Sequence, residues 1–576
     1  MVLEVKPGEK VEWPNGDRFP VEPGEAYAYE AWMKTDGLRV QENRALCLGF
    51  AGVDSTGKVV LNSGAVRITD NAVEKDGWYR VVCTTKVMPE TAVQGFFYIW
   101  SADCEGIAYV DDIRLRPCAV NPVDVLLSSA FRDEAWTGDV ILRAAYSANP
   151  LKHPRDSLEC VLSCRTAEGD RRLFPGALAG GIAQAKVAVS ELAYGCHPVT
   201  LIVRRKDGSA ELGRSSLAFT RVPGERNRKV SVDAYGRTVV EGKPFFPLGM
   251  FWGRISPSEL AVYTNGAPFN CLMPYHPPTG NEMDRCLGAG IRVIYPLASH
   301  YKELAEAKTP EAKRQLEESE VCSRVRTLGA HPGLLAWYLG DELRPKFRDL
   351  LVERRRMVQD ADADHPTWFI TDQPGDLRDM ALGFDIGGSD PYPIGNRGNA
   401  DRTAIGIAAG WTRRGLEATY GLRPLWQIPQ AFDWGYYRPA ETNNPSVRIP
   451  TAEEMRSMAW QAVAAGANGL VFYSYFDLRE RTSWPKDRTA GGWEGVCAVV
   501  KELDACKETL LSLPGPSVRS VPDGVACRTW RRNDGTKWCL VCNETRNPVS
   551  GMIELADGSA KRIDLPAIGV DLFDFR

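Results

Sequence analysis

Apolar residues follow two different rhythms along the chain. Between 1 and 118 they come in short alternating stretches, at 26–35, 78–87, 95–101 and 106–115, separated by Gly, Asp and Asn. Alternation with a period of two marks strands that bury one face. Turn residues at this spacing predict a β-sandwich. Residues 119–228 continue in the same way, with strands expected at 139–147, 158–165 and 197–205. A second sandwich is the expectation there, with an immunoglobulin-like arrangement as one option. The rhythm changes at 229. Apolar runs now alternate with longer amphipathic segments, and they fall at 246–251, 269–275, 291–297, 334–339, 367–371, 384–389, 424–429 and 469–475. Unbroken apolar strands alternating with helices mean parallel strands covered on both faces. Eight of them within 229–513 match a (β/α)8 TIM barrel, whose usual length is about 250 residues. One helix is well marked: Thr451 and Glu454 form a Thr-x-x-Glu capping box, 455–465 reads as helical, and Gly466 or Gly469 ends it. The stretch 514–576 returns to short strands at 526–531, 536–543, 551–555 and 570–575. The expected architecture is therefore multidomain: two N-terminal β-sandwiches (1–118 and 119–228), a (β/α)8 barrel (229–513) and a small antiparallel C-terminal β domain (514–576).

Composition agrees and removes several functions. At roughly 150 residues per domain, 576 residues make about four domains. With 44% apolar and 25% charged residues the chain is ordinary globular protein. No apolar run approaches the roughly 18 residues of a membrane span, so no membrane partner is expected. A net charge of −4 offers no general basic face for nucleic acid. The 15 cysteines are odd in number and thinly spread, which is no disulfide framework. The single Cys-x-x-Cys, Cys539 to Cys542, lies in an apolar strand, where residues three apart face opposite sides and chelate metal poorly. Buried free thiols are expected, as in a reducing compartment or a host tolerant of free cysteine. The first five residues hold no signal-peptide core. The expected location is cytoplasmic, or secreted or periplasmic if a leader has been removed. The six histidines are scattered, with neither His-x-His nor His-Glu-x-x-His. Phosphate-loop, dinucleotide and Gly-x-Ser-x-Gly patterns are missing too, so no cofactor is expected.

In a barrel of this type the chemistry sits at the C-terminal ends of the strands. Those ends carry Trp252, Tyr275 and His276, Asp341 and Glu342, Asp372, Asp390 and Tyr392, then Gln430, Asp433 and Trp434, and finally Tyr473. Carboxylates, amides and rings with few cations suit a neutral polyol. The sharpest element is the segment 331–342, an apolar strand running into two adjacent acids. Neighbours on a regular strand point to opposite sides. Both acids can line the mouth only if the strand breaks, and Gly340 permits a break. The structural alternative is that either acid caps the following helix or pairs with Arg344. As a general acid, Glu342 needs a raised pKa, which burial beside Trp337 or Tyr338, or a second carboxylate, would supply. Trp252, Tyr275, Trp434, Tyr473 and Trp484 are candidate sugar platforms, His276 a hydroxyl partner, and His331, which precedes its strand, structural.

These features resemble the TIM-barrel glycoside hydrolases, above all the large clan of retaining β-glycosidases. The carrying residues are Gly242-Lys243-Pro244-Phe245-Phe246-Pro247-Leu248-Gly249, the segment 331–342, Asp390-Pro391-Tyr392-Pro393 and Trp426-Gln427-Ile428-Pro429-Gln430-Ala431-Phe432, over roughly 229–512. The resemblance implies that Glu342 is the acid/base, although in that clan the Glu usually follows Asn and here follows Asp341. The clan's nucleophile is a Glu at the end of strand seven, where this chain has Gln430, with Asp433 three residues on. Glycoside hydrolysis normally needs two carboxyl groups, about 5–5.5 Å apart for retention and about 6.5–9.5 Å for inversion. Asp390, Asp433 or Asp341 is then expected to complete the site. A second route is substrate assistance, because the Asp341-Glu342 pair is similar to that of β-N-acetylhexosaminidases. There the Asp holds the 2-acetamido group, and Tyr392 or Tyr473 would be the orienting phenol. A non-catalytic carbohydrate binder on a degenerate barrel is the alternative of another class. Residues 1–118 resemble the jelly-roll carbohydrate-binding modules of polysaccharide-degrading enzymes, in the stretches 27–32, 77–85 and 108–115. The expected function is cleavage of O-glycosidic bonds in a glycan or oligosaccharide.

Overall fold

The computed structural model describes residues 2–575, except 7–9, 13–16, 41–45, 69–74, 102–103, 398–399 and 482–483. The chain divides into two compact units, Met1–Leu126 with Thr137–Arg221, and Leu127–Trp136 with Val222–Arg576.

The first unit is built of antiparallel strands. One N-terminal sheet has the order Val2–Val5, Cys104–Cys118, Ala26–Val40, Tyr79–Thr84. The other has the order Lys10–Glu12, Gln94–Ser101, Leu46–Val53, Val59–Arg67, with Phe19–Pro20 also on Gln94–Ser101. Tyr29, Met33, Leu48, Phe50, Val81, Phe97 and Ile99 fill one core between them. The period-two alternation thus follows from two layers, each turning every second side chain inward. The rest of the unit is a run of six strands in the order Asp139–Ala145, Ile182–Ala188, Arg171–Ala179, Leu158–Arg165, Gly195–Arg205, Glu211–Arg221. Arg171–Ala179 pairs with Leu158–Arg165 up to Pro175 and with Ile182–Ala188 from Gly176 onward. A Cβ on Gly176 would lie 2.7 Å from the Cys160 sulfur, so close packing requires glycine there.

The second unit contains a closed barrel of eight parallel strands. They are β1 (Leu248–Trp252), β2 (Cys271–Pro274), β3 (Arg292–Pro296), β4 (Leu334–Asp341), β5 (Thr367–Thr371), β6 (Ile386–Ser389), β7 (Trp426–Gln427) and β8 (Gly469–Phe472). They pair in sequence order, and β8 pairs with both β1 and β7. The ring closes between β6 and β7, where the Gly387 N–H donates to Pro424 O (3.0 Å) and the Ile428 N–H to Ser389 O (3.1 Å). Each of the eight apolar runs holds one strand. Their composition follows from burial on two faces: Phe251, Met273, Ile294, Tyr338, Trp368, Ile370, Trp426 and Val471 fill the interior, while helices cover the outside. A small sheet of Val230–Val232, Thr238–Val240 and Lys243–Phe245 sends Val230 and Val240 into the same core and plugs the foot of the barrel.

The helix Ala452–Ala464 begins at the expected capping box: Thr451 Oγ1 accepts from Glu454 N–H (3.2 Å), and Glu454 Oε2 accepts from Thr451 N–H (2.9 Å). Its far end is satisfied by Arg528, which donates to Val463 O (3.2 Å) and Ala467 O (2.7 Å). Arg528 belongs to the four-stranded one of two C-terminal sheets, of four and three strands, that share a core around Val541, Ile553 and Phe575. Cys539 lies in that core and Cys542 outside it. The described cysteine side chains are free thiols, and that of Cys104 lies outside the described residues. Among the described residues no helix is long and apolar enough to cross a membrane.

Candidate active site

The two acids of β4 reach the mouth because the strand is irregular at two points. Its register against β5 slips between Tyr338 and Gly340, which adds one residue on the β4 side. Glu342 then adopts a left-handed backbone, with φ of +48°, while its N–H still donates to Ile370 O (3.0 Å). A positive φ on a residue other than glycine is a local cost that tends to gather at functional sites. Gly340 has a different part from the expected one. Its own φ is not left-handed, but a Cβ there would stand 2.8 Å from Leu343 and 2.9 Å from the Phe369 ring. Its smallness lets the bulge pack, and Glu342 itself makes the turn.

Around this turn lie Asp341, Glu342, Asp372 and Asp390. Asp341 and Glu342 are open to solvent, yet protein atoms crowd them enough for desolvation to dominate their titration. A carboxyl on the inner wall of a concave mouth satisfies both descriptions. Desolvation, then the charge of Asp372, pushes Glu342 up to about 7, against an opposing hydrogen bond with Asp390. Asp390, 7% exposed, is raised well above the usual carboxyl range by burial and by the charge and hydrogen bond of Glu342. Its Oδ1 has no hydrogen-bond partner. Burial raises Asp341 too, and the hydroxyls of Tyr338 and Tyr275 oppose the shift. The Tyr275 hydroxyl donates to Asp341 Oδ2 at 3.3 Å. Asp372 is gripped by Arg344, whose two terminal nitrogens donate at 2.7 and 3.3 Å. Arg344 therefore pairs with neither β4 acid.

A wall of rings adjoins the carboxyls. Tyr275 and Tyr473 have centroids 6.4 Å apart, Tyr473 and Tyr392 5.6 Å, Tyr392 and Phe432 5.0 Å, and Phe432 and Trp434 5.0 Å. Burial pushes the Tyr275, Tyr392 and Tyr473 hydroxyls up, so they serve as neutral hydrogen-bonding groups.

Other expected site residues stand elsewhere. Trp252 is fully buried and stacks on Tyr475 (centroids 4.1 Å), on the outer face of β1 away from the mouth. Gln430 is fully buried, and its amide is occupied by backbone: Oε1 accepts from Ile394 N–H (2.9 Å) and Nε2 donates to Ile394 O (2.8 Å) and Phe432 O (3.1 Å). Asp433 accepts from Gly435 N–H (2.7 Å) and from Arg488 Nε (2.6 Å), which makes it a loop brace. His276 is exposed one residue past Tyr275, and among the described residues no hydrogen bond ties its ring to the carboxyls. Trp484 sits against Tyr436 (5.4 Å) on the loop after β8. His331 Nδ1 accepts from Gly333 N–H (3.0 Å) at the start of β4, away from the mouth. Trp337 faces outward, its indole N–H on Asp362 (2.7 Å), and Tyr338 is the buried neighbour of Asp341.

Sequence reasoning passed over a second cluster at the ends of β7 and β8. Tyr437 Oη lies 3.3 Å from Tyr473 Oη and donates to Asp477 Oδ2 (3.0 Å), and Arg481 Nε stands 2.9 Å from Asp477 Oδ1. Asp477 lies in the run after β8, and its spacing from Arg481, one helical turn, is the signal that could have found the pair. Among the described residues no group of His, Cys, Asp and Glu is arranged to hold a metal.

No family model and no curated protein matches the chain. Solved structures that are similar to it include glycoside hydrolases. A β-glucuronidase of Bacteroides uniformis is 10% identical with a TM-score of 0.35, over 97% of this chain and 73% of that one. A family 5 glycoside hydrolase of Bacteroides vulgatus is 16% identical with a TM-score of 0.40, over 60% and 90%. A family 39 glycoside hydrolase of Bacteroides cellulosilyticus is 10% identical with a TM-score of 0.37, over 77% and 98%. Likeness this distant carries no weight for the reaction, which is read below from the site.

Proposed function

We propose that the chain is a glycosidase that cleaves O-glycosidic bonds of a glycan or oligosaccharide, with Glu342 as general acid/base and Asp390 as the second carboxyl. One observation carries this reading. Glu342, open to solvent at the mouth, stands beside the buried Asp390, and both resist ionisation. Resistance to ionisation lets such a pair retain a proton for the leaving group, which hydrolysis of a glycoside requires. The course proposed is retention. Asp390 passes the pair's proton to Glu342, Glu342 gives it to the glycosidic oxygen as the bond to the anomeric carbon breaks, and Asp390 bonds to that carbon as a carboxylate. Water then attacks it, Glu342 takes the water's proton, and Asp390 is released. Asp341 and Tyr275 would hold sugar hydroxyls, and Tyr392, Trp434 and Tyr473 would present ring surface. We place the catalytic barrel at 229–513, with two sandwiches divided at 118/119 before it and the small β domain from 514 after it.

A panel of aryl glycosides, N-acetylhexosaminides included, tests the reading through release of the phenol. The Glu342→Gln variant should lower turnover by about 10²–10⁴-fold while fold and sugar binding persist. Near-normal turnover in that variant removes the assignment.

A further inference from the structure

The charges at the mouth do not balance one another. Asp372 is met by Arg344 and Asp477 by Arg481. Asp341, Glu342 and Asp390 have no Lys or Arg partner within ion-pair distance among the described residues. Asp390 is more than nine-tenths buried, and its Oδ1 is without a partner. Tyr275, Tyr392 and Tyr473 form the adjoining wall, and the face of an aromatic ring attracts a cation.

Three kinds of sugar can be weighed against this arrangement. A uronate would bring a further negative charge to carboxyls that already resist ionisation, and the two arginines at hand are committed. A neutral sugar would donate hydroxyls and leave the charge uncompensated. An ammonium group supplies a positive charge and three N–H donors. On the carbon next to the anomeric centre it would lie within reach of the carboxyl that meets that centre. We propose that the sugar accepted at the mouth carries a free primary amino group, held as an ammonium ion between Asp341 and Asp390 against the wall of Tyr275, Tyr392 and Tyr473. The assignment names the substrate class of the glycosidase site proposed above and rests on it.

The test pairs binding with cleavage on the whole chain. Glucosamine, glucose and glucuronate, with their galacto counterparts, are titrated calorimetrically in phosphate and in HEPES. The nitrophenyl glycosides of the same sugars are assayed alongside. In one epimer series the amino sugar should bind at least tenfold tighter than its neutral counterpart. Its apparent heat should differ between the buffers, because carboxyls that ionise on meeting the ammonium release protons. The uronate should not bind, and Asp341→Asn should erase the preference for the amine. Cleavage of a neutral glycoside with no preference for the amine overturns the charge assignment and leaves the glycosidase reading standing. Preference for the amine with no glycoside cleaved does the reverse. Neither binding nor cleavage overturns both.

Discussion

Strand β6 carries an aspartate just before its first residue and another just after its last, and the barrel treats them in opposite ways. At the foot, burial acts to raise Asp385, but the charges of Arg355 and Arg132 outweigh it and hold the carboxyl well below its usual range. Arg355 donates to Asp385 Oδ1 at 2.7 Å, and the Thr367 N–H donates to Oδ2 at 2.9 Å. At the mouth, Asp390 is as deeply buried, but it faces Glu342 in place of arginines and is raised. Burial is common to both, so the difference lies in the partners. The foot is an ion-paired network that locks strands together. The mouth keeps carboxyls in mutual tension, an arrangement that costs stability and supports proton transfer.

Exchanging the carboxyls one at a time should separate these two economies of charge. The largest effect is on turnover. Glu342→Gln should cost about 10²–10⁴-fold, or roughly 3–5.5 kcal/mol of barrier, with the unfolding midpoint held or raised. Asp385→Ala should show the converse. It leaves Arg132 and Arg355 buried without their carboxylate, at roughly 3–5 kcal/mol of stability, read by denaturant unfolding, with turnover per folded molecule unchanged. A mouth variant that unfolds the chain, or a foot variant that abolishes turnover while folded, would erase the distinction.

The same contrast sets the pH dependence of stability. The folded-state pKa of Asp385 is depressed, so its contribution is present above the unfolded value of about 3.9 and is lost as pH falls through the folded one. Glu342 is raised to about 7, so the folded chain binds the extra proton between roughly pH 4.3 and 7. Its contribution falls as pH rises through that window and stays lost above it. Glu342→Gln should then stabilise the chain by about 0.5–2 kcal/mol at pH 8 and leave it unchanged at pH 4, measured as unfolding free energy at each pH. A gain of equal size at both values would assign the effect to packing.

How much of this is legible in the sequence depends on whether a residue's role is set by its own stretch of chain. The eight barrel strands are legible because two-sided burial writes each as an unbroken apolar run. The acids of β4 are legible because an apolar strand cannot end on two adjacent carboxylates without a turn, and the turn is there at Glu342. Trp252 is not. Both faces of β1 are apolar, so the pattern cannot say that Phe251 points into the barrel and Trp252 onto Tyr475. Gln430 reads as a polar group at a strand end, but its amide is taken by the backbone of Ile394 and Phe432, contacts that close only in three dimensions. The Arg344–Asp372 and Tyr437–Asp477 contacts likewise join the ends of neighbouring strands, and no local spacing announces them.

The finest test lies at the seam between the two styles of charge, at Asp372. Arg344 holds this carboxylate as arginines hold Asp385, yet it faces the mouth and is, after desolvation, the largest influence keeping the proton on Glu342. Asp372→Asn removes that negative charge and frees Arg344, whose own charge already favours ionised Glu342. Both changes act in the same direction, so Glu342 should lose its proton at lower pH. A general acid is active only while protonated, and the alkaline limb of kcat/KM reports its pKa in the free enzyme. That limb should move to more acidic pH by about one unit, equivalent to about 1.4 kcal/mol, with a smaller loss at the optimum than Glu342→Gln causes. Arg344→Gln should move it the other way, because Asp372 would keep its charge while the opposing cation is gone. If both variants leave the limb in place, desolvation alone holds the proton on Glu342, and the paired carboxylate beside it belongs with the foot of the barrel as a purely structural tie.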